Sequence, residues 1–423
     1  MLSAEIIAIG SELLTPEKSD TNSVWLTERL NEIGIEVKMK TIVGDDAARL
    51  EKCIRDAFSR SEIILMTGGL GPTTDDITRE CAANALGREL EYHDEIEQHL
   101  RERFRSWGRE MPEINKRQAF VVAGAEILPN PNGSACGMLI AENGKYLAIF
   151  PGPPKENQPM FLNHVLPHLD KLTGDVYVRR RVVKVSGKGE SAVDEVAAPI
   201  YSKFSDITTS ILFNKSEVEI HLAARADSPE KAEKIAAEAA EEVAAALGSA
   251  VFSTNGETME AVVGKMLAER GETVSTAESC TGGLIAERLT DVPGSSAYFM
   301  TGAVTYSNEA KIHDLGVPAE IIEKHGAVSA ECAEAMAAGM LGRTKTTYAV
   351  SVTGIAGPDG GSDEKPVGTV FIGIADAHGV RTKRLQIPGD RFLIRWRTSQ
   401  AALDILRRRI IHHDTSAETA SKG

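Results

Sequence analysis

Along the first 170 residues short apolar runs alternate with amphipathic ones: EIIAIG, TNSVWLTERLNEIG, VKMKTIVG, DAARLEKCIRDAFSR and EIILMTGG. Short apolar runs bounded by glycine read as buried strands, and apolar positions spaced three and four apart read as helices. The rhythm is therefore βαβαβ, a parallel sheet with helices on both faces. Glycines follow the expected strands at Gly10, Gly44, Gly68, Gly69 and Gly71. Ligands of such sheets collect beyond the carboxyl ends of the strands, where these glycines fall.

The texture changes near LTGDVYVRRRVVKVSG, where a basic cluster meets alternating β-branched residues. Strand, helix (ESAVDEVAAPIYSKF), two strands (ITTSILFN, EVEIHLAAR) and an Ala/Glu-rich helix follow. That last helix opens on Ser228 and Pro229, suited to the N-cap and the first helical position. These roughly 80 residues, at the low end of domain sizes, carry no polar cluster in a glycine-rich loop, and read as a structural spacer. From about residue 254, as the run ETVSTAES approaches, α/β alternation returns, closing with RFLIRWRTSQAALDILRRRI and a polar tail expected to be disordered. The expected class is α/β: two three-layer α/β/α domains (1–171 and 254–413) joined by a small α+β domain (172–253), with a tail at 414–423.

A chain of 423 residues exceeds what one core supports, in keeping with three domains. No run of about 18 apolar residues is present, so no membrane partner is expected. The N-terminus lacks a basic n-region and places Glu5 in its first apolar run, which reads as a strand and not a signal peptide. Five scattered cysteines, none in C-x-x-C spacing, argue against a disulfide framework and a zinc site. A cytoplasmic location is expected. The net charge of -14, with no basic stripe, excludes nucleic acid as the expected partner and leaves small ligands.

Two glycine-rich stretches concentrate the chemistry. In TAESCTGG, Ser279 and Cys280 are adjacent nucleophile types at the end of a strand, ahead of a helix starting near Thr281. First-turn amides of that helix would form an oxyanion or phosphate site. Tyr306 ends another strand, and Lys311 falls in the first helical turn after an N-cap at Asn308. The helix dipole there favours a neutral amine, and a lysine of lowered pKa can activate a serine. Bland readings stand beside these: a serine before Gly-Gly is commonly an N-cap, a strand-end tyrosine packs in a core, and Cys280 is a small buried apolar residue. The second stretch, TGGLGPTTDDIT, has Gly68, Gly69 and Gly71 for close backbone approach to a phosphate, and Asp75 and Asp76 for a divalent ion. It also reads as a turn with an aspartate cap. No Walker A spacing exists in the chain.

The stretches TAESCTGG, TYSNEAK, HGAVS and SVTGIAGPDGGSDEKPVGTV resemble the nicotinamide mononucleotide (NMN) deamidase domain of the CinA family. The resemblance implies Ser279 as nucleophile assisted by Tyr306 and Lys311, converting NMN and water to nicotinate mononucleotide and ammonia without a cofactor. Substrate contacts are expected at Thr281, Gly282, Thr353, Gly354 and Gly357. A phosphate contact is expected from Arg391, with Arg395 and Arg397 as alternatives.

IGSELL, SDTNS, TGGLGPTTDD, PNGSACGM and FPGPPKE resemble the molybdopterin-binding-like domain at the front of CinA proteins. That implies ADP-ribose hydrolysis to AMP and ribose 5-phosphate with Mg²⁺, Mn²⁺ or Co²⁺. Asp76 is the implied metal ligand, with Asp75 and Glu12 secondary, and Gly68, Gly69, Gly71 and Lys155 contact substrate. Ser11 departs from the acidic or amide residue common at its position. The alternative is a molybdopterin- or nucleotide-binding regulatory module without catalysis. A homodimer is also implied.

Overall fold

A computed structural model describes residues 2–174 and 176–420. The chain divides into two compact units, Met1–Arg179 with Arg225–Ala232, and Arg180–Ala224 with Glu233–Gly423.

The first unit is built on a six-stranded sheet in the order Glu36–Val43, Ser3–Ile9, Ile63–Thr67, Lys145–Phe150, Gly137–Glu142, Glu126–Leu128. The first four strands are parallel, the fifth runs antiparallel to them, and the sixth pairs antiparallel with the fifth. Strand periodicity sends alternate side chains to opposite faces. Ile7, Ile9, Ile64 and Met66 pack with Leu50 and Ile54 of the helix Ala47–Arg60. Ile6 and Leu65 pack with Leu26, Leu30 and Phe161. Ile6 and Ile7 are both wholly buried, each contributing about 2 kcal/mol of apolar burial. Two cores, one on each face, make the three layers that the alternation predicted.

In the second unit, a five-stranded sheet runs Phe299–Val304, Val274–Glu278, Tyr348–Gly354, Thr369–Asp376, Gly379–Gln386. The first three strands are parallel, the fourth runs antiparallel to them, and the fifth pairs antiparallel with the fourth. Val274, Val350 and Val352 face a core with the helices Met259–Arg270, Leu284–Thr290 and Arg391–Ala420, while Ala277 and Ala349 face Met336 and Met340 of Ala330–Thr344. The helix Ala319–His325 had no counterpart in the sequence reading, because at seven residues it is too short to display a period.

The middle sheet has the order Ile207–Asn214, Glu217–Ala226, Tyr177–Ser186, Val251–Ser253. Ser228 Oγ accepts the Lys231 N–H at 3.2 Å, the expected cap of the helix Pro229–Leu247. The closing helix continues to Ala420 and so enters the stretch expected to be a disordered tail; residues 421–423 lie outside the described residues. Among the described residues no helix is long and apolar enough to cross a membrane.

In both large sheets the earliest strand of the domain lies between its two parallel neighbours. The crossover to the first neighbour and the crossover from it to the second pack on opposite faces of the sheet, opening a crevice at the carboxyl end of the central strand. Ser3–Ile9 with Ile63–Thr67 makes one such crevice, and Val274–Glu278 with Tyr348–Gly354 the other.

Candidate active sites

The strand Val274–Glu278 ends in a buried carboxylate. Glu278 is 1% exposed and accepts the N–H groups of Gly283 (3.0 Å), Ile285 (3.1 Å) and Ala286 (2.9 Å). This corrects one expectation. The helix begins at Leu284, not near Thr281, and its first-turn amides are taken by Glu278 instead of facing the serine. Gly282 and Gly283 adopt φ of 63° and 93°, a region open to glycine, and this turns the chain back over the carboxylate.

Ser279 follows, its own N–H bonded to the Val352 carbonyl at 3.0 Å. Neither the Cys280 nor the Thr281 N–H makes a backbone hydrogen bond among the described residues, the Cys280 N–H lying against its own thiol, which makes these two amides the candidates for an oxyanion site. Thr281 is wholly buried and its hydroxyl lacks a partner among the described residues. Burial pushes the Cys280 thiol up to about 12, which removes it as a thiolate.

Lys311 is 1% exposed. Its Nζ lies 3.0 Å from Ser279 Oγ, and it donates to the carbonyls of Thr305 (2.9 Å) and Tyr306 (3.2 Å). Burial holds its pKa below the ordinary lysine value. The Ser307 carbonyl lies farther from Nζ, at 3.5 Å. A neutral amine has two N–H groups and one lone pair: the two nearer carbonyls take the former, and the serine hydroxyl can donate to the latter. The helix Asn308–Leu315 is capped by Ser307, whose Oγ accepts the Ala310 N–H at 3.1 Å, and not by Asn308. Lys311 is therefore one position deeper than expected, and burial outweighs the dipole as the cause of its lowered pKa.

Tyr306 is placed differently from expectation. Its side chain is 60% exposed and its hydroxyl bonds to Arg391 Nη2 at 3.1 Å, away from Ser279 and Lys311. Its carbonyl, not its phenol, serves the lysine. Arg391 Nη1 also donates to the Gly357 carbonyl at 2.8 Å, tying Tyr306 to the glycine loop after Tyr348–Gly354. Of the alternatives, Arg395 Nη2 donates to the Thr281 carbonyl at 2.7 Å, and Arg397 is held by the carbonyls of Lys215 and Pro388. Thr353 donates to the Ala327 carbonyl at 2.7 Å. A Cβ on Gly354 would meet the Thr369 carbonyl at 2.9 Å, so that glycine serves strand packing.

In the first unit, the strand Ile63–Thr67 runs into Gly68, where φ is 110° and a Cβ would lie 2.1 Å from the Ile9 carbonyl oxygen. Only glycine fits. Asp76 folds the loop on itself: Oδ1 accepts the Gly71 N–H at 2.8 Å, and Oδ2 accepts the Thr73 N–H at 2.9 Å and its hydroxyl at 2.5 Å. Arg79, 1% exposed, donates to the carbonyls of Leu70 and Gly71 from below. Gly68, Gly69 and Gly71 line a cavity of about 600 Å³ at the crevice. Among the described residues its walls carry Glu12, Asp20, Asp45, Asp75, Asp76 and Glu156 against one cation, Lys18. Lys155 is exposed and does not line it.

The implied metal ligands are not gathered into a cage. Glu12 pairs with Lys18 at 2.8 Å, Asp75 is held below the usual carboxylate range by the Thr73 hydroxyl, and Asp76 is committed to the loop. Among the described residues no three His, Cys, Asp or Glu side chains could hold a metal ion together. Such a wall fits an ion that brings ligands from a bound phosphate, as magnesium commonly does, better than a protein-only site. Ser11 is explained locally: its N–H bonds Asp45 at 2.9 Å and its Oγ accepts the Asp45 N–H at 3.0 Å. Glu278, Arg79 and Lys18 were not among the expected site residues; for Glu278 and Arg79 the available signal was an acid or arginine near a glycine turn, and Lys18 had none.

Three family models match in order along the chain: "Probable molybdopterin binding domain" over residues 5–171, "Damage-inducible protein CinA KH domain" over 180–253 and "CinA C-terminal domain" over 256–410. A CinA-like protein of Solibacter usitatus is 48% identical over 409 residues, 97% of this chain and 98% of that protein. Another from Dictyoglomus thermophilum is 42% identical over 408 residues, 96% of this chain and 99% of that protein. The crystal structure of the competence damage-inducible protein A from Klebsiella pneumoniae is 38% identical, with a TM-score of 0.36, covering 36% of this chain and 96% of that one. With its three matched domains in sequence and relatives aligned over nearly their whole length, this chain belongs to the CinA family.

Proposed function

We propose that the C-terminal domain is a serine amidohydrolase acting on NMN. The observation that carries this reading is the 3.0 Å approach of Lys311 Nζ to Ser279 Oγ, with both side chains buried. Neutral Lys311 accepts the hydroxyl proton as Ser279 Oγ attacks the carboxamide carbon. The tetrahedral oxyanion is met by the Cys280 and Thr281 amides. Lys311 then returns the proton to the departing nitrogen, releasing ammonia and leaving a nicotinoyl ester on Ser279. Water, deprotonated by Lys311, cleaves that ester to give nicotinate mononucleotide and restores the serine. Arg391, with Tyr306 and Gly357, is the anchor for the 5′-phosphate. The test is ammonia release from NMN by the purified chain, with and without chelator; no ammonia in either condition would end this reading.

The N-terminal cavity supports a second activity, hydrolysis of ADP-ribose to AMP and ribose 5-phosphate. Six carboxylates facing one lysine would repel a diphosphate on their own. A divalent ion, held by Asp75 and Glu12, would neutralise the diphosphate and lower the pKa of a bound water. Asp76 and Arg79 keep the glycine loop in shape, and the loop backbone receives the phosphate. Appearance of AMP with Mg²⁺, Mn²⁺ or Co²⁺ supports this; tight binding of ADP-ribose without AMP would favour the regulatory-module alternative. A cytoplasmic homodimer is part of the same proposal.

A further inference from the structure

The middle domain, expected to be a spacer, is joined to the amidohydrolase site by a buried polar assembly inside the second unit. Arg288 lies on the helix Leu284–Thr290, the helix whose first turn Glu278 ties to Ser279. It is 4% exposed. Its Nη1 donates to Ser399 Oγ at 2.9 Å, and Nη2 donates to Gln400 Oε1 and to the Glu260 carboxylate, each at 2.6 Å. Its guanidinium also stands 4.6 Å from the Trp396 ring centroid.

The middle domain reaches the same group of residues. Lys215, exposed between the strands Ile207–Asn214 and Glu217–Ala226, places Nζ 4.2 Å from the Trp396 centroid. Gln400 Nε2 donates to Glu217 Oε2 at 3.1 Å, and the Glu217 Oε1 atom accepts Lys184 Nζ at 2.9 Å. Arg397 Nε donates to the Lys215 carbonyl at 3.1 Å.

A planar guanidinium bound at several fixed points cannot move without breaking charge-assisted bonds in a dry environment. The helix after the nucleophile is thus braced at its first turn by Glu278 and four residues later by Arg288. A 1 Å misplacement of a reacting group costs about a hundredfold in rate, so a brace of this kind has leverage over Ser279. We propose that Arg288 is a positioning residue for Ser279, and that the middle-domain hairpin, through Lys215 and Glu217, helps to hold it.

The kinetic part of the test rests on the NMN reading; the labelling part does not. In the full chain, Arg288→Lys keeps the charge but loses the fork, and kcat for NMN falls about tenfold or more with KM within about twofold, the pattern of lost alignment. Lys215→Met, on an exposed side chain that does not endanger folding, lowers kcat about threefold in the same pattern. Unchanged kcat in both variants, or a rise in KM alone, overturns the proposal. The rate at which phenylmethanesulfonyl fluoride labels Ser279, read by intact mass, is the second measurement. If the wild type releases no ammonia, the NMN reading fails while labelling still decides: slower labelling in both variants supports positioning, and equal rates overturn it.

Discussion

The two large domains solve the same loop problem in the same way and then diverge. Each carries a glycine-rich turn at the crevice beside its central strand, and each folds that turn around a carboxylate: Asp76 on the amides of Gly71 and Thr73, Glu278 on those of Gly283, Ile285 and Ala286. Beyond this point the second unit brings a buried lysine to a serine, whereas the first surrounds an open cavity with acids. The difference teaches where the chemistry resides. On the proposed reading one site holds a nucleophile and its base among its own side chains, and the other supplies shape and negative charge and relies on what a phosphate ligand brings with it.

The strongest blow to that contrast is Ser279→Ala. It removes NMN deamidation by roughly four orders of magnitude or more and leaves ADP-ribose turnover unchanged, as measured by ammonia and AMP release on the same preparation. Cys280→Ala, one residue away, retains deamidation within about threefold, because a thiol of raised pKa is not the nucleophile. Lys311→Met lowers kcat by about 10² to 10⁴, the range of a lost general base. Lys311→Arg does not rescue it, since a guanidinium stays protonated.

On the other side of the comparison, Asp76→Asn sets an amide donor against loop N–H groups and destabilises the first unit by about 1–3 kcal/mol. ADP-ribose turnover then falls by the same factor at every Mg²⁺ concentration. A loss that excess Mg²⁺ repairs would instead make Asp76 a metal ligand. Tyr306→Phe is expected to have a small effect: among the described residues its hydroxyl bonds Arg391, and losing one exposed hydrogen bond of about 1 kcal/mol raises KM for NMN a few fold with little change in kcat.

Much of the architecture was legible because it follows from period. EIIAIG and EIILMTGG are apolar and glycine-bounded, and the structure buries them on both faces as parallel strands. Ser279, Tyr306 and Lys311 were legible as residue types at strand and helix ends, and the structure brings two of the three side chains, Ser279 and Lys311, to 3.0 Å. What could not be read was direction. Tyr306 sits where expected in the chain, yet its phenol turns outward and its carbonyl turns inward, a choice made by packing of the loop and not by residue type. Asp76 and Asp75 are adjacent acids, yet only the first bonds the amides of Gly71 and Thr73, because its side chain alone faces back over the turn. Glu278 was hidden for a related reason: a carboxylate in a buried strand contradicts simple patterning until the helix amides that it accepts are in view.

Activation of Ser279 by a buried, neutral Lys311 would show itself in the pH dependence of kcat/KM for NMN. Burial penalises the charged amine, so the folded chain holds the Lys311 pKa below 10.5, and the reactive form gains population as pH rises through that lowered value. The expected rate climbs with pH to a plateau, with a midpoint below 10.5 and no such limb in the residual activity of Lys311→Met. An ascending limb that persists unchanged in Lys311→Met would contradict it.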